Sequence, residues 1–195
     1  MKKLFLFIIL SVPQLLLFAQ TNWTVDPAHS SVQFNVTHLV ISEVEGEFKT
    51  FTGTMSSSSP DFTDATINFS VDVNSLNTNN GMRDKHLKSA DFFNVEKFPE
   101  MLFKSSSFKK ISDNKYELKG DLTIHGITKP VIFDVIYGGV ADDGYGNIKA
   151  GFKATTTINR FDYGLQWNKL TEAGGAIAGK DVTIIIRVEM SKSKK

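Results

Sequence analysis

The 195-residue chain sets 22 Lys and Arg against 21 Asp and Glu, with four His and no Cys, for a formal charge of +1. That balance excludes a basic field able to gather nucleic acid or anionic headgroups. The missing cysteine excludes disulfides, thiolate metal sites and lipidation at a mature N-terminal cysteine.

The first twenty residues, "MKKLFLFIILSVPQLLLFAQ", place Lys2 and Lys3 before an apolar run that ends at Phe18. Ala19 offers a small residue for cleavage, with Leu17 two positions before it. This pattern predicts a secretory signal peptide over residues 1–20, cleaved near Ala19/Gln20, and a mature chain in the periplasm or outside the cell. The rival is an uncleaved anchor, but Ser11, Pro13 and Gln14 leave the run short of the roughly 20 apolar residues that span a bilayer. No stable membrane anchor is therefore expected. The remaining 21–195, about 175 residues, suit a single domain with a real core. Without Lys2 and Lys3 that chain has 20 basic and 21 acidic residues, a formal charge of −1. Thirteen of the sixteen phenylalanines lie beyond the leader and supply packing that disulfides cannot.

Alternation with period two dominates from there, which is the signature of strands buried on one face. "SVQFNVTHL" sets Val32, Phe34, Val36 and His38 against Ser31, Gln33, Asn35 and Thr37. A second strand is expected near 43–55, around Phe48. "ATINFSVDVN" sets Ala65, Ile67, Phe69, Val71 and Val73 on one face. A strand near 98–109 contains Phe103. "YELKGDLTI" then opposes Tyr116, Leu118, Leu122 and Ile124 to Glu117, Lys119, Asp121 and Thr123. A strand near 129–138 carries Phe133 and Val135. "IKAGFKATTTI" aligns Ile148, Ala150, Phe152 and Ala154, and "DVTIIIRVEM" aligns Val182, Ile184, Ile186 and Val188. "SDNK", "HGITKP" and "ADDGYGN" are turn signals between them. About eight sequential strands with short turns predict an all-β antiparallel meander, and closure into a barrel would remove its edges. A two-sheet sandwich would show the same alternation.

Two long connections break the rhythm. Residues 74–97 contain "GMRDKHLKSADFF", where Asn80 is a candidate N-cap and Met82, His86, Leu87 and Ala90 recur at helical spacing, predicting a short helix over 81–89. Residues 159–180 hold too many glycines for a stable helix. Long loops in compact domains are often functional, and both are expected at the mouth or flank of the barrel.

The chemical signals are weak. Arg83, Asp84 and His86 resemble an acid–base set, yet on a helix 83 and 86 are neighbours while 84 points elsewhere. The blander expectation is that Arg83 anchors the helix to a carboxylate of another element. His29, expected before the first strand, and His38, His86 and His125 show no metal-ligand spacing, so no metal is expected. Each is expected to cap a turn or to satisfy a buried hydrogen bond. For His38, whose parity matches Phe34 and Val36, the alternatives are a bond to a backbone carbonyl and a polar tip offered to a ligand headgroup. No nucleophile elbow exists. "NRFDYGLQW" pairs Arg160 with Asp162 among Phe161, Tyr163 and Trp167, which suits aromatic closure of a barrel end better than nucleic-acid binding.

Four blocks, "WTVDPAHSSVQFNVTHLVISEVEGEF", "RDKHLKSADFFNVEKFPEMLFKSSSF", "GDLTIHGITKPVIFDV" and "TTTINRFDYGLQWN", resemble in order the signature blocks of the YceI-like family. The resemblance covers residues 22–190 and includes Trp23, Asp26, His29, His38, Arg83, His86, Arg160 and Trp167. It implies a lipocalin-like, eight-stranded antiparallel β-barrel with a short helical insert, around an apolar tunnel. It also implies a long-chain isoprenoid or fatty lipid as partner: a polyisoprenoid, an isoprenoid quinone or another long-chain lipid or amide. No catalytic residue, cofactor or nucleic acid is implied, and a homodimer is compatible with the outer face. The expected lining begins with Phe34, Val36, His38, Phe48, Ile67, Phe69, Val71, Phe92 and Phe93. It continues with Phe103, Leu122, Ile124, Phe133, Val135, Phe152, Ala154, Tyr163 and Trp167. The alternatives are a lipid- or isoprenoid-modifying enzyme, with metal or haem held through His38 or another histidine, and a scaffold barrel with a solid core.

Overall fold

The computed structural model describes residues 20–172 and 174–194. The expected signal peptide and its cleavage point lie outside the described residues but for Gln20. In chain order the strands are β1 (Thr21–Val25), β2 (Ser31–His38), β3 (Ser42–Phe48), β4 (Phe51–Ser57), β5 (Thr66–Asp72), β6 (Leu76–Asn77), β7 (Glu100–Ser112), β8 (Lys115–Ile124), β9 (Ile127–Asp142), β10 (Asn147–Asn159) and β11 (Ala178–Ser193), with helix α1 (Gly81–Lys88) between β6 and β7. All neighbours pair antiparallel, and β1 pairs with both β4 and β11, which closes the sheet.

These eleven segments make eight staves. β11 faces β2 along its first part and β1 near its end, so β1 and β2 are halves of one stave. The 3₁₀ turn Pro27–His29 divides them, capped by the Asp26 carboxylate, which accepts from the Ala28 amide. The expected first strand thus has an earlier half, and His29 lies within the stave instead of before it. β3 and β4 likewise form the strand expected near 43–55. It breaks where the Lys49 and Thr50 amides donate to the carbonyl and hydroxyl of Ser75 rather than to a neighbouring strand. β5 and β6 flank the 3₁₀ turn Val73–Ser75. With β7, β8, β9, β10 and β11, the ring is a closed eight-stranded antiparallel meander.

At the α1 end the ladder is incomplete in two places. β6 is two residues long and pairs with β3 but not with β7. Between β9 and β10 the pairing stops at Asp134–Thr155, so Thr156–Asn159 lean on β11 alone. α1 lies by the first split, and the 3₁₀ turn Arg160–Tyr163 continues from the second. Asn80 caps α1 as expected, its side chain accepting from the Arg83 amide at 3.1 Å. Met82, however, is 84% exposed. The two-turn helix meets the barrel through Arg83, His86 and Leu87 instead.

An aromatic cluster fills the opposite end. Phe62, from the loop between β4 and β5, meets Trp23 at 5.5 Å, Tyr137 at 5.7 Å and Phe152 at 5.5 Å between ring centres. Phe108 stacks on Tyr116 at 4.9 Å. Phe62 is buried although its φ of 61° is unusual for a bulky residue. Its loop is held by carboxylates: Asp64 accepts from Ser57, Ser58 and Ser59, and Asp61 from Ser59 and Thr63. Those hydrogen bonds hold both carboxyls below the usual range. The Tyr116 hydroxyl donates to the Asp61 carbonyl at 3.0 Å.

Candidate functional site

Inside the ring lie two apolar chambers. The lower one, about 120 Å³, is walled by rings and branched chains that include Phe69, Phe103, Phe133, Phe152, Ile186 and Met190. The upper one, about 240 Å³, lies under α1 and is walled by Phe34, Val36, Phe48, Leu87, Phe92 and Phe93 among others. Val32, Met101, Ile124 and Ile184 belong to both walls, so the chambers abut. Protein interiors ordinarily leave few voids larger than a water molecule. Space of this size with apolar walls is suited to hydrocarbon, since water needs polar partners to occupy a cavity.

Glycines in the wall keep that space open. Phe34 pairs across the sheet with Gly46, and Phe69 with Gly53. Phe103 lies over Gly120 of β8. A Cβ built on any of the three would overlap the facing ring. Each ring lies down against bare backbone, where elsewhere it would project into the lumen. Met55, Met101 and Met190, all buried, are unbranched and adaptable.

Among the described residues, ionisable side chains border only the upper of the two chambers: His38, Arg83, His86 and Arg160. Arg160 is 4% exposed and spends its guanidinium on backbone carbonyls, donating to Gly179 at 2.8 Å, Leu165 at 2.5 Å and Ala178 at 3.1 Å. Burial lowers its pKa, yet a guanidinium keeps its charge in proteins. This arginine ties the 159–180 connection to the start of β11. Arg83 donates to the Thr78 hydroxyl at 2.8 Å and carbonyl at 2.7 Å. Asp84 accepts from the Thr78 amide at 2.9 Å and hydroxyl at 2.5 Å. The expected carboxylate partner for Arg83 is therefore replaced by Thr78, on which both charged residues converge. The His86 ring is 5.1 Å from Phe92 and 5.4 Å from Trp167, edge to face, with Asp91 at 3.3 Å from its Nε2. Phe92 and Trp167 lie 5.2 Å apart, so the two long connections meet over the upper chamber.

Of the eighteen expected lining residues, Tyr163 alone borders neither chamber. β10 ends at Asn159, and the 3₁₀ turn that follows no longer obeys the strand's inward parity. Tyr163 is buried there by packing, and that burial, with Asp162 beside it, pushes its hydroxyl up to about 12. The expectation did not extend to Leu118, Ile184, Ile186 or Val188, whose alternation already marked them as inward, nor to Phe108, which a β-bulge between Ser105 and Ser107 turns to the same side as Phe103. Leu165 and Ile177 carried no such signal.

The histidines divide. His38 faces the upper chamber, and its ring has no backbone carbonyl as partner among the described residues. His125 forms the turn between β8 and β9 with φ 51°, its ring 4.4 Å from Phe98. Its Nε2 is buried with no hydrogen-bond partner among the described residues, against the expectation that every histidine is satisfied. His29 bonds Asp26 at 3.1 Å and lies 3.7 Å from Glu189. These three are placed as metal ligands could be, but the Lys149 ammonium reaches the same carboxylates at 2.6 and 3.2 Å. That contact, and then His29, holds Asp26 down to about 2. The cluster is an outer clasp rather than a vacant site.

The sequence profile described as the YceI-like domain matches residues 23–190. Two UPF0312 proteins of Staphylococcus aureus, strains bovine RF122 / ET3-1 and N315, are each 39% identical over 175 residues, covering 89% of this chain and 99% of theirs. The crystal structure of a Campylobacter jejuni YceI protein is 31% identical with a TM-score of 0.69, over 81% of this chain and 90% of that one. BcnA of Burkholderia cenocepacia is 24% identical with a TM-score of 0.72, over 87% and 99%. A domain from Saccharophagus degradans, described as polyisoprenoid binding and implicated in plant cell wall breakdown, is 14% identical with a TM-score of 0.63, over 88% and 98%. The last two likenesses concern the fold.

Proposed function

The chain belongs to the YceI-like family, and from that premise we propose that it is an exported carrier holding one long-chain lipid in the two chambers. The cargo would be a polyisoprenoid, an isoprenoid quinone or a fatty chain. The observation that carries this reading is the pair of abutting apolar voids, kept open by rings folded onto wall glycines. A scaffold barrel would have no use for that space. The binding-domain description of the Saccharophagus degradans relative agrees with it. Desolvation drives uptake at roughly 0.8 kcal/mol per buried methylene, so several methylenes reach micromolar affinity or better after association costs.

The chambers also orient the cargo. Its tail takes the lower chamber, where no ionisable group borders the void, and its polar end takes the upper one, beside His38, Arg83, His86 and Arg160. Catalysis has less support, because Arg83 and Asp84 are committed to Thr78 and His86 is wedged between aromatic rings. Residues 1–20 serve as the export signal.

Native mass spectrometry of protein exported by its own host tests the reading. The expected spectrum shows a mature chain beginning near Gln20 with a bound lipid of discrete mass. Absence of any lipid, together with no saturable binding of prenyl or acyl chains, would overturn it.

A further inference from the structure

The turn between β2 and β3 is built from the wrong residues for a turn. Leu39 and Val40 take left-handed φ values of 52° and 67°, positions that hairpins ordinarily give to Asn and Gly. A β-branched valine there is an outlier. The conformation does not bury the side chains, since Val40, which meets Gly175, is still 67% exposed and Ile41 85% exposed. The backbone is nonetheless held, with the Leu39 amide donating to the Ile177 carbonyl at 3.0 Å. Three consecutive large apolar side chains are thus presented to water on a braced finger.

The finger stands on the rim of the upper chamber, whose wall includes His38, one residue before it, and Ile177, bonded to it. Leu170, from the other long connection, is 59% exposed beside the exposed Lys169, and Met82 projects from α1 at the same end. We infer that this rim is a membrane-docking tip whose occupant is the interfacial region of a phospholipid bilayer. The inference rests on the carrier reading, because the reservoir of a long-chain lipid is a membrane. Shape decides between partners. A stable protein interface needs about 800 Å² from each side, more than a three-residue finger presents. Shallow insertion of a few branched side chains needs no matching surface. Charges near the tip are mixed, Glu43 against Lys169, so insertion rather than charge attraction supplies the binding.

The test compares the exported, processed protein with Val40→Asn/Ile41→Ser. Asparagine tolerates the left-handed backbone, so the variant should fold at least as well. Co-sedimentation with phosphatidylcholine vesicles should fall at least fivefold in the variant. Transfer of a fluorescent fatty acid from those vesicles to the protein should slow to match. Affinity for the same probe added in solution should not change. Vesicle binding that is weak in the parent, or equal in the two proteins, overturns the inference. So does a concentration-dependent dimer that the substitutions abolish, which would put a second copy on the tip. A parent that sediments with vesicles but takes up no probe retires the carrier reading and leaves the docking tip standing.

Discussion

The two ends of this barrel are made from the same eight staves and do opposite things. At the plugged end the loop between β4 and β5 closes the barrel, and Trp23, Phe62, Phe108, Tyr116, Tyr137 and Phe152 pack on one another, with only Phe108 and Phe152 of the six bordering the lower chamber. At the helix end the ladder splits twice, and α1 with the 159–180 connection spans the gap over a 240 Å³ chamber. Aromatic content does not separate them, because Phe34, Phe48, Phe92, Phe93 and Trp167 surround the upper chamber. The difference lies in what each ring leans on. Rings at the plugged end lean on one another, whereas Phe34, Phe69 and Phe103, besides one ring neighbour each, lie on glycine backbone and leave the axis free. Stability and capacity are therefore drawn from different parts of one wall.

The largest effect should come from the plug. Phe62→Ala removes a ring touching three others and should cost about 3–5 kcal/mol by urea unfolding. A loss below about 1 kcal/mol would show that the plug contributes little. At the other end Thr78→Val takes away the hydroxyl that joins Arg83 to Asp84. It should cost about 1–3 kcal/mol. Amide exchange should rise across residues 78–90 and stay unchanged at the plug, and uniform deprotection would contradict the division into two ends.

Phe69→Trp sharpens the comparison at the join. In an open lumen the larger ring narrows the lower chamber, weakening the longest prenyl chains about tenfold, roughly 1.4 kcal/mol, while shorter chains still bind. In a filled core the same change would overpack, costing roughly 1–3 kcal/mol of stability with no shift in chain-length preference. Unfolding of the apo protein alongside binding across a chain-length series separates the two.

The smallest effect concerns the outer clasp. Asp26 sits at about 2 when folded against 3.8 ordinarily, so it binds its proton more weakly in the native state. Its contribution is present above about pH 4 and is lost as pH falls towards 2. Allowing for solvent screening of a partly exposed pair, Asp26→Asn should remove about 1 kcal/mol at pH 7. It should also flatten the stability slope between pH 4 and 2. An unchanged slope would mean that Lys149 re-pairs with Glu189 alone.

Much of the wall was legible in the sequence. Side chains alternate across a strand whatever the neighbours do, so Val32, Phe34, Ile67, Phe69, Leu122 and Phe152 announced their direction from parity alone. The Asn80 cap is a local hydrogen bond, and it too was readable. Tyr163 was misjudged because parity lapses where β10 gives way to a 3₁₀ turn. Arg83 was misjudged because its partner was sought as a charge and is instead a threonine carbonyl and hydroxyl.

What only the tertiary structure decided is everything set by register between distant segments. Gly46 beneath Phe34 and Gly120 beneath Phe103 are ordinary strand glycines until pairing brings the rings over them. Trp167 and Phe92, 75 positions apart, meet only because the ladder leaves both ends of the gap unpaired. Arg160 finds three carbonyls because β11 starts where the connection returns. Local stereochemistry determined which way each side chain points, and cooperative strand pairing determined what stands opposite it and how much space is left between.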